Sequence, residues 1–235
     1  QMAELGLMAE ADAVAFTDAD RAVADAQVMR RVLSYASAFN LLICHYPEEP
    51  ALARNGVMNS GEIAMRLGLP GIPTQAETIM VERDLRLVEM TGGRYHAACL
   101  STAQAIEAMA RGKAQGLPVS AAAAVHNFAM NEEAVGQYRS FAKTAPPLRS
   151  EADRQAVVDG LADGTIDVIC SCHDPQDVES KRLPFELAAT GIIGLETMLP
   201  LALQLYHNGA LGLSDLLAKM TSRPAELLGL RGGKL

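Results

Sequence analysis

The stretch Asp167-Val-Ile-Cys-Ser-Cys-His-Asp-Pro175 runs from apolar residues into four metal-capable side chains, Cys170, Cys172, His173 and Asp174. A buried parallel strand delivers side chains to an active site in this way. Thiolates and imidazoles are good ligands for zinc and other soft ions. Cys99 ends a second apolar run and His126 a third. One chemistry open to the chain is therefore a metal site of Cys99 and Cys172 with His126 or His173. The competing reading is two small buried thiols packed as apolar groups. Cys170 and Cys172 form a Cys-x-Cys pair that points one way on a strand, a weak metal signal alone. Cys44 reads as core and His96 as a structural strand histidine. His45 points to the strand face opposite Tyr46, unless the register slips.

Other polar residues have plainer readings. Ser101-Thr102 before a helical stretch reads as a cap, and there is no Gly-x-Ser-x-Gly elbow. Thr74-Gln-Ala-Glu77 fits a capping box. Glu62, and Glu151 with Asp153 after Ser150, place negative charge at helix starts. Met80, Met90 and Met109 read as helix-core fillers.

The elements that must position these residues follow from periodicity. Strands are expected at 13–17, 41–46, 94–100, 118–125 and 166–172. Helices are expected at 2–10, 21–38, 61–67, 75–90, 102–114, 150–162, 192–208, 213–220 and 223–229. Asp18-Ala-Asp20 marks the turn and cap before the second helix. Loops are expected at 48–60, 128–148 and 173–190, with a rigid turn at 69–73. Strand–helix units repeated five times mean a parallel sheet. No Gly-rich phosphate fingerprint follows any strand, and polar residues gather at strand C-terminal ends, the active-site rim of a (β/α)8 barrel.

The chain has 235 residues, of which 49% are hydrophobic and 4% aromatic, so its core is built from Ala, Leu, Val, Ile and Met. A net charge of −8 without a basic run argues against nucleic acid. No apolar stretch is long enough for a membrane span, and no signal-peptide pattern opens the chain. Four cysteines in a chain of this length point to a reducing, cytoplasmic setting rather than a disulfide framework. A start at Gln1 with a strand by residue 13 fits a fragment or a processed chain.

Five stretches in order resemble class I dihydroorotase of the amidohydrolase superfamily. They are Gly61-Glu-Ile-Ala-Met-Arg-Leu-Gly-Leu-Pro-Gly-Ile-Pro73, Leu100-Ser-Thr102, Pro146-Pro-Leu-Arg149, Leu161-Ala-Asp-Gly-Thr-Ile-Asp167 and Gly191-Ile-Ile-Gly-Leu-Glu-Thr-Met-Leu-Pro200. The resemblance implies an α/β (β/α)8 TIM barrel of amidohydrolase type. It is incomplete in this chain: one partial barrel domain over 1–235, lacking the N-terminal units and most of the flanking β domain. The family's first strand, with its His-x-His ligands and substrate-binding Arg, precedes the matched region. An opened barrel exposes two sheet edges, so a homodimer or further residues are expected.

Dihydroorotases use zinc to open or close the dihydroorotate ring, with an Asp moving the proton. Carried over residue by residue, the family's metal positions are Ala19, Tyr46, Cys99 and Cys172. Cys172 stands at the proton-shuttle position. Its substrate positions are Ala145 and Gln176. The resemblance thus implies a member of pyrimidine biosynthesis that lacks catalytic residues and zinc, and partners aspartate transcarbamoylase. The alternative is an active cyclic amidohydrolase with zinc in a rebuilt site of Cys99, Cys172, His126 and His173.

Overall fold

The computed structural model describes residues 2–233. In chain order its elements are α1 (Leu5–Glu10), β1 (Ala15–Phe16), α2 (Ala26–Ala38), β2 (Leu42–His45), α3 (Pro50–Ala53), β3 (Met58–Asn59), α4 (Glu62–Leu67) and β4 (Gly71–Ile72). Then follow α5 (Gln75–Thr91), β5 (Arg94–Ala97), α6 (Ala103–Ala114), β6 (Val119–Ala124), α7 (Val125–Ala129), α8 (Glu151–Asp163) and β7 (Val168–Cys170). The chain closes with α9 (Val178–Lys181), α10 (Met198–His207), α11 (Leu213–Met220) and α12 (Ser222–Leu228).

Five strands pair in parallel in the order β1-β2-β5-β6-β7. Each new strand of this sheet is added beside the previous one. A doubly wound sheet reverses its order at a switch point; this sheet does not, so it advances in one direction as a barrel wall does. The five are the five strand regions predicted from sequence, trimmed at their ends. Four of the six residues of β6 are alanine, and the strand is buried along nearly its whole length. A strand covered on both faces has no room for alternating polar side chains.

The main core lies between the sheet and its helices and includes Met29, Leu33, Val81, Val88, Met109, Leu161 and Ile169. A second, smaller core of Met58, Ala64, Val135, Leu148 and Phe185 sits under the separate β3–β4 pair.

Several local expectations are corrected. The predicted loop 48–60 contains α3 and β3, and the turn 69–73 contains β4. Their pairing is too short to leave a periodic signature. Helix α2 begins five residues later than predicted, because Asp25, not Asp18 or Asp20, accepts the N–H groups of Gln27 and Val28 at 2.7 and 3.0 Å. The segment predicted as helix from 192 becomes helical only at Met198, and the loop 173–190 contains α9. Met80 and Met109 are buried as predicted, whereas Met90 is exposed. Among the described residues no helix is long and apolar enough to cross a membrane.

Candidate functional site

The C-terminal ends of β5, β6 and β7 converge on three sulfurs. Cys99 Sγ lies 2.8 Å from Cys172 Sγ and 3.6 Å from Cys170 Sγ, and Cys170 and Cys172 are 3.3 Å apart. Cys170 ends β7, where its thiol also reaches the Ala123 carbonyl oxygen of β6 at 3.3 Å.

Cys99 is aimed by a bulge. Ala97 pairs with Ala121, and the Leu100 N–H then bonds the Ala122 carbonyl at 2.8 Å. The β5 side thus advances three residues while β6 advances two, which leaves one residue outside the ladder and bends the strand end. Cys99 has φ 126° there, and Cys172 has φ 41° just past β7. Both conformations are costly for a residue with a Cβ. Neither can be inferred from composition.

The thiols share protons unequally. S–H donation from Cys170, then from Cys99, draws the Cys172 thiol well below its ordinary range. The hydrogen bonds with its two neighbours, together with burial, push Cys99 well above it.

Of the predicted metal residues, Cys99 and Cys172 come together as expected, and Cys170 joins them. His173 does not; it is exposed, and its Nδ1 accepts the N–H groups of Gly194 and Leu195 at 3.2 Å each. His126, on α7, is buried, and neither ring nitrogen has a hydrogen-bond partner. It lies close enough to Cys172 for the two charges to interact, and burial lowers its pKa. It falls outside the compact sulfur cluster. Ala19 is exposed on a turn with φ 57°. Tyr46 has a buried hydroxyl, and burial, with Glu48 and Cys99 nearby, raises its pKa well above 10. Ala145 is exposed, before a cis bond to Pro146.

A cavity of about 430 Å³ has a lining that includes Val125, His126, Gln176, Lys181, Ile192 and Leu201. Gln176 donates to Asp174 Oδ1 at 2.9 Å. Two glycines permit close backbone approaches to the strand tip. A Cβ on Gly194 would run into the Ser171 carbonyl oxygen, and one on Gly191, at φ 135°, into that of Asp174. The Gly191-Ile-Ile-Gly194 run thus lets the segment before α10 lie directly on the strand tip.

Beneath the site lies a buried polar network. Glu77 accepts the backbone N–H of Ser101 at 3.0 Å, that of Thr102 at 3.0 Å, and both hydroxyls. Arg149 donates to Ser101 Oγ at 3.1 Å, to Asn59 Oδ1 at 3.0 Å and to the Ile72 carbonyl at 2.8 Å. Asn59 in turn donates to Glu132 at 2.7 Å. The predicted capping box is therefore not made: Thr74 has no capping bond, and Glu77 turns inward. The cap of α6 is Thr102, not Ser101. The network fixes the Cys99–Thr102 turn from three distant segments. Its signal in the sequence was Glu77 and Asp84 on the apolar face of α5 with Val81 and Val88, which are buried with them.

His45 lies outside the site. Its Nε2 accepts the Val23 N–H at 2.8 Å and its Nδ1 meets Asp84 at 2.7 Å, so no slipped register turns it inward. His96 bonds Ser120 at 2.8 Å as a structural histidine. Cys44 is half-buried, and burial pushes its thiol up to about 11.

A family model described as "Dihydro-orotase-like" matches residues 1–105. The dihydroorotase of Desulfotalea psychrophila is 45% identical over 234 residues, covering 100% of this chain and 56% of that protein. That of Syntrophotalea carbinolica is 47% identical over 234 residues, covering 100% and 55%. The chain spans about half the length of the curated relatives it matches. Among solved structures, L-hydantoinase (dihydropyrimidinase) from Arthrobacter aurescens superposes with TM-score 0.85 at 22% identity, over 99% of this chain and 55% of that one. D-hydantoinase from a Thermus species gives 0.74 at 23%, over 90% and 49%. At that identity the likeness establishes the fold alone, part of a (β/α) barrel.

Proposed function

Because the chain belongs to the dihydroorotase-like family, we propose that it serves pyrimidine biosynthesis as a non-catalytic member, a scaffold for aspartate transcarbamoylase, alone or as a homodimer. The observation that carries this reading is the donor set at the family's metal positions. Ala19 offers no ligand atom, and Tyr46 offers a buried phenol held in its protonated form. A hydrolytic zinc site needs deprotonated ligands and an open position for water. Ala19, Tyr46, Cys99 and Cys172 do not fit that centre, and Cys172 puts one sulfur where the family has the two oxygens of a carboxylate. Ala145 and Gln176 likewise lack the family's substrate-holding side chains.

What the chain keeps is the frame. The Glu77–Ser101–Arg149 network and the glycines at 191 and 194 preserve the shape of the strand-end rim. A rigid rim without its acid–base groups suits a partner surface.

The full-length protein tests this reading. Purified alone, it should show no dihydroorotate hydrolysis or synthesis above background. It should co-elute with aspartate transcarbamoylase at a fixed ratio on size-exclusion chromatography. Turnover supported by stoichiometric zinc would sink the proposal in favour of an active cyclic amidohydrolase. Loss of both activities upon Cys99→Ser/Cys172→Ser would then place the metal on those thiols.

A further inference from the structure

The geometry points to a binding site for one soft, thiophilic cation held by the three sulfurs of Cys99, Cys170 and Cys172. The ligand set differs from the positions carried over from the family: all three donors are thiols, and Cys170 lies outside those positions. The site stands whether or not the full protein turns over dihydroorotate.

Three observations carry it. The sulfur separations of 2.8, 3.3 and 3.6 Å already outline a coordination triangle. Sulfurs about 2.3 Å from a shared tetrahedral zinc lie roughly 3.8 Å apart, so the triad closes on an ion with movements of about 1 Å or less. Second, Cys99 and Cys172 both hold left-handed backbone conformations, φ 126° and 41°, which turn two strand ends toward one point. Strain of this kind persists where surrounding structure imposes it, as at ligand clamps. Third, a buried donor within charge range of Cys172 is unused: His126 is 2% exposed, and both its ring nitrogens lack partners.

An all-sulfur set selects cuprous copper, zinc or cadmium over magnesium and calcium, whose preference is oxygen. Binding replaces thiol protons, which leave to solvent.

The full-length protein, reduced and kept anaerobic, is titrated with cadmium, and separately with cuprous copper against a chromophoric chelator. One equivalent per chain is expected, with a thiolate-to-cadmium charge-transfer band. Cys99→Ser, Cys170→Ser and Cys172→Ser should each weaken cadmium binding by at least about tenfold. Cys44→Ser should leave it unchanged. Circular dichroism checks that each variant folds. Should any fail, alkylation of the parent protein gives the same answer: cadmium should shield three of the four cysteines. No band in the folded, reduced protein overturns the site. So does binding indifferent to Cys170→Ser, or a Cys99–Cys172 disulfide in a protein that, once reduced, takes up no ion.

Discussion

Glu77, in the first turn of α5, and Thr102, just past β5, are joined by two hydrogen bonds, from the Thr102 N–H at 3.0 Å and from its hydroxyl at 2.9 Å. The carboxylate thereby caps the start of α6 from a neighbouring helix. Ser101 bonds the same carboxylate and accepts from Arg149, so one turn is held by charges of both signs. Cys99 lies two residues before Ser101. The direction of its thiol therefore depends on a contact made far away in sequence.

Glu77→Gln should destabilise the fold by about 2–4 kcal/mol, since a buried carboxylate accepting four donors is replaced by an amide that must oppose some of them. Urea denaturation measures this. Paired with Arg149→Met, it should be non-additive by about 0.5–3 kcal/mol, because both side chains bind Ser101. Simple addition would mean that the two contacts are independent.

Asp84→Asn should cost about 3–5 kcal/mol. Asp84 is fully buried and receives Tyr95 at 3.0 Å, His45 at 2.7 Å and Arg83 at 2.7 and 2.9 Å. The change leaves the Arg83 guanidinium beside a neutral group. The thiol triad makes no hydrogen bond to this cluster, so any metal bound by the folded variant should stay as tight as in the parent. Thermal melting and a cadmium titration separate the two effects.

Burial lowers the His96 pKa from 6.5 to about 4. The unfolded chain therefore takes up this proton first as pH falls. The associated stability is present above pH 6.5 and is lost progressively down to about pH 4, by roughly 3 kcal/mol. His126 shifts in the same direction. His96→Asn should flatten the fall in stability over this window. An unchanged slope in paired urea melts at pH 7 and pH 4.5 would show that His96 is not the group responsible.

Gly194→Ala should cost about 1–3 kcal/mol, the usual range for overpacking. Its methyl would meet the Ser171 carbonyl, one residue from Cys172. The variant should also make Cys172 react at a different rate with a thiol reagent, because the strand tip has to shift. Stopped-flow thiol titration reads that change. An unaltered melting temperature would mean that the segment before α10 does not rest on the tip.

The sequence alone determined the parallel α/β class, the five strands of the sheet and the strand ends that form the rim. Those follow from local hydrophobic periods and from turn residues, which act over a few positions. It also brought Cys99 and Cys172 to one rim. The tertiary structure decided what stands around them. Cys170 joined the pair, and His173 left it for the backbone of Gly194 and Leu195, because a bulge and two left-handed residues redirect the side chains. Glu77 gave up a local cap for Ser101 and Thr102 across the core. Such choices rest on contacts between residues tens of positions apart, where a buried charge must find partners whatever its neighbours in sequence suggest.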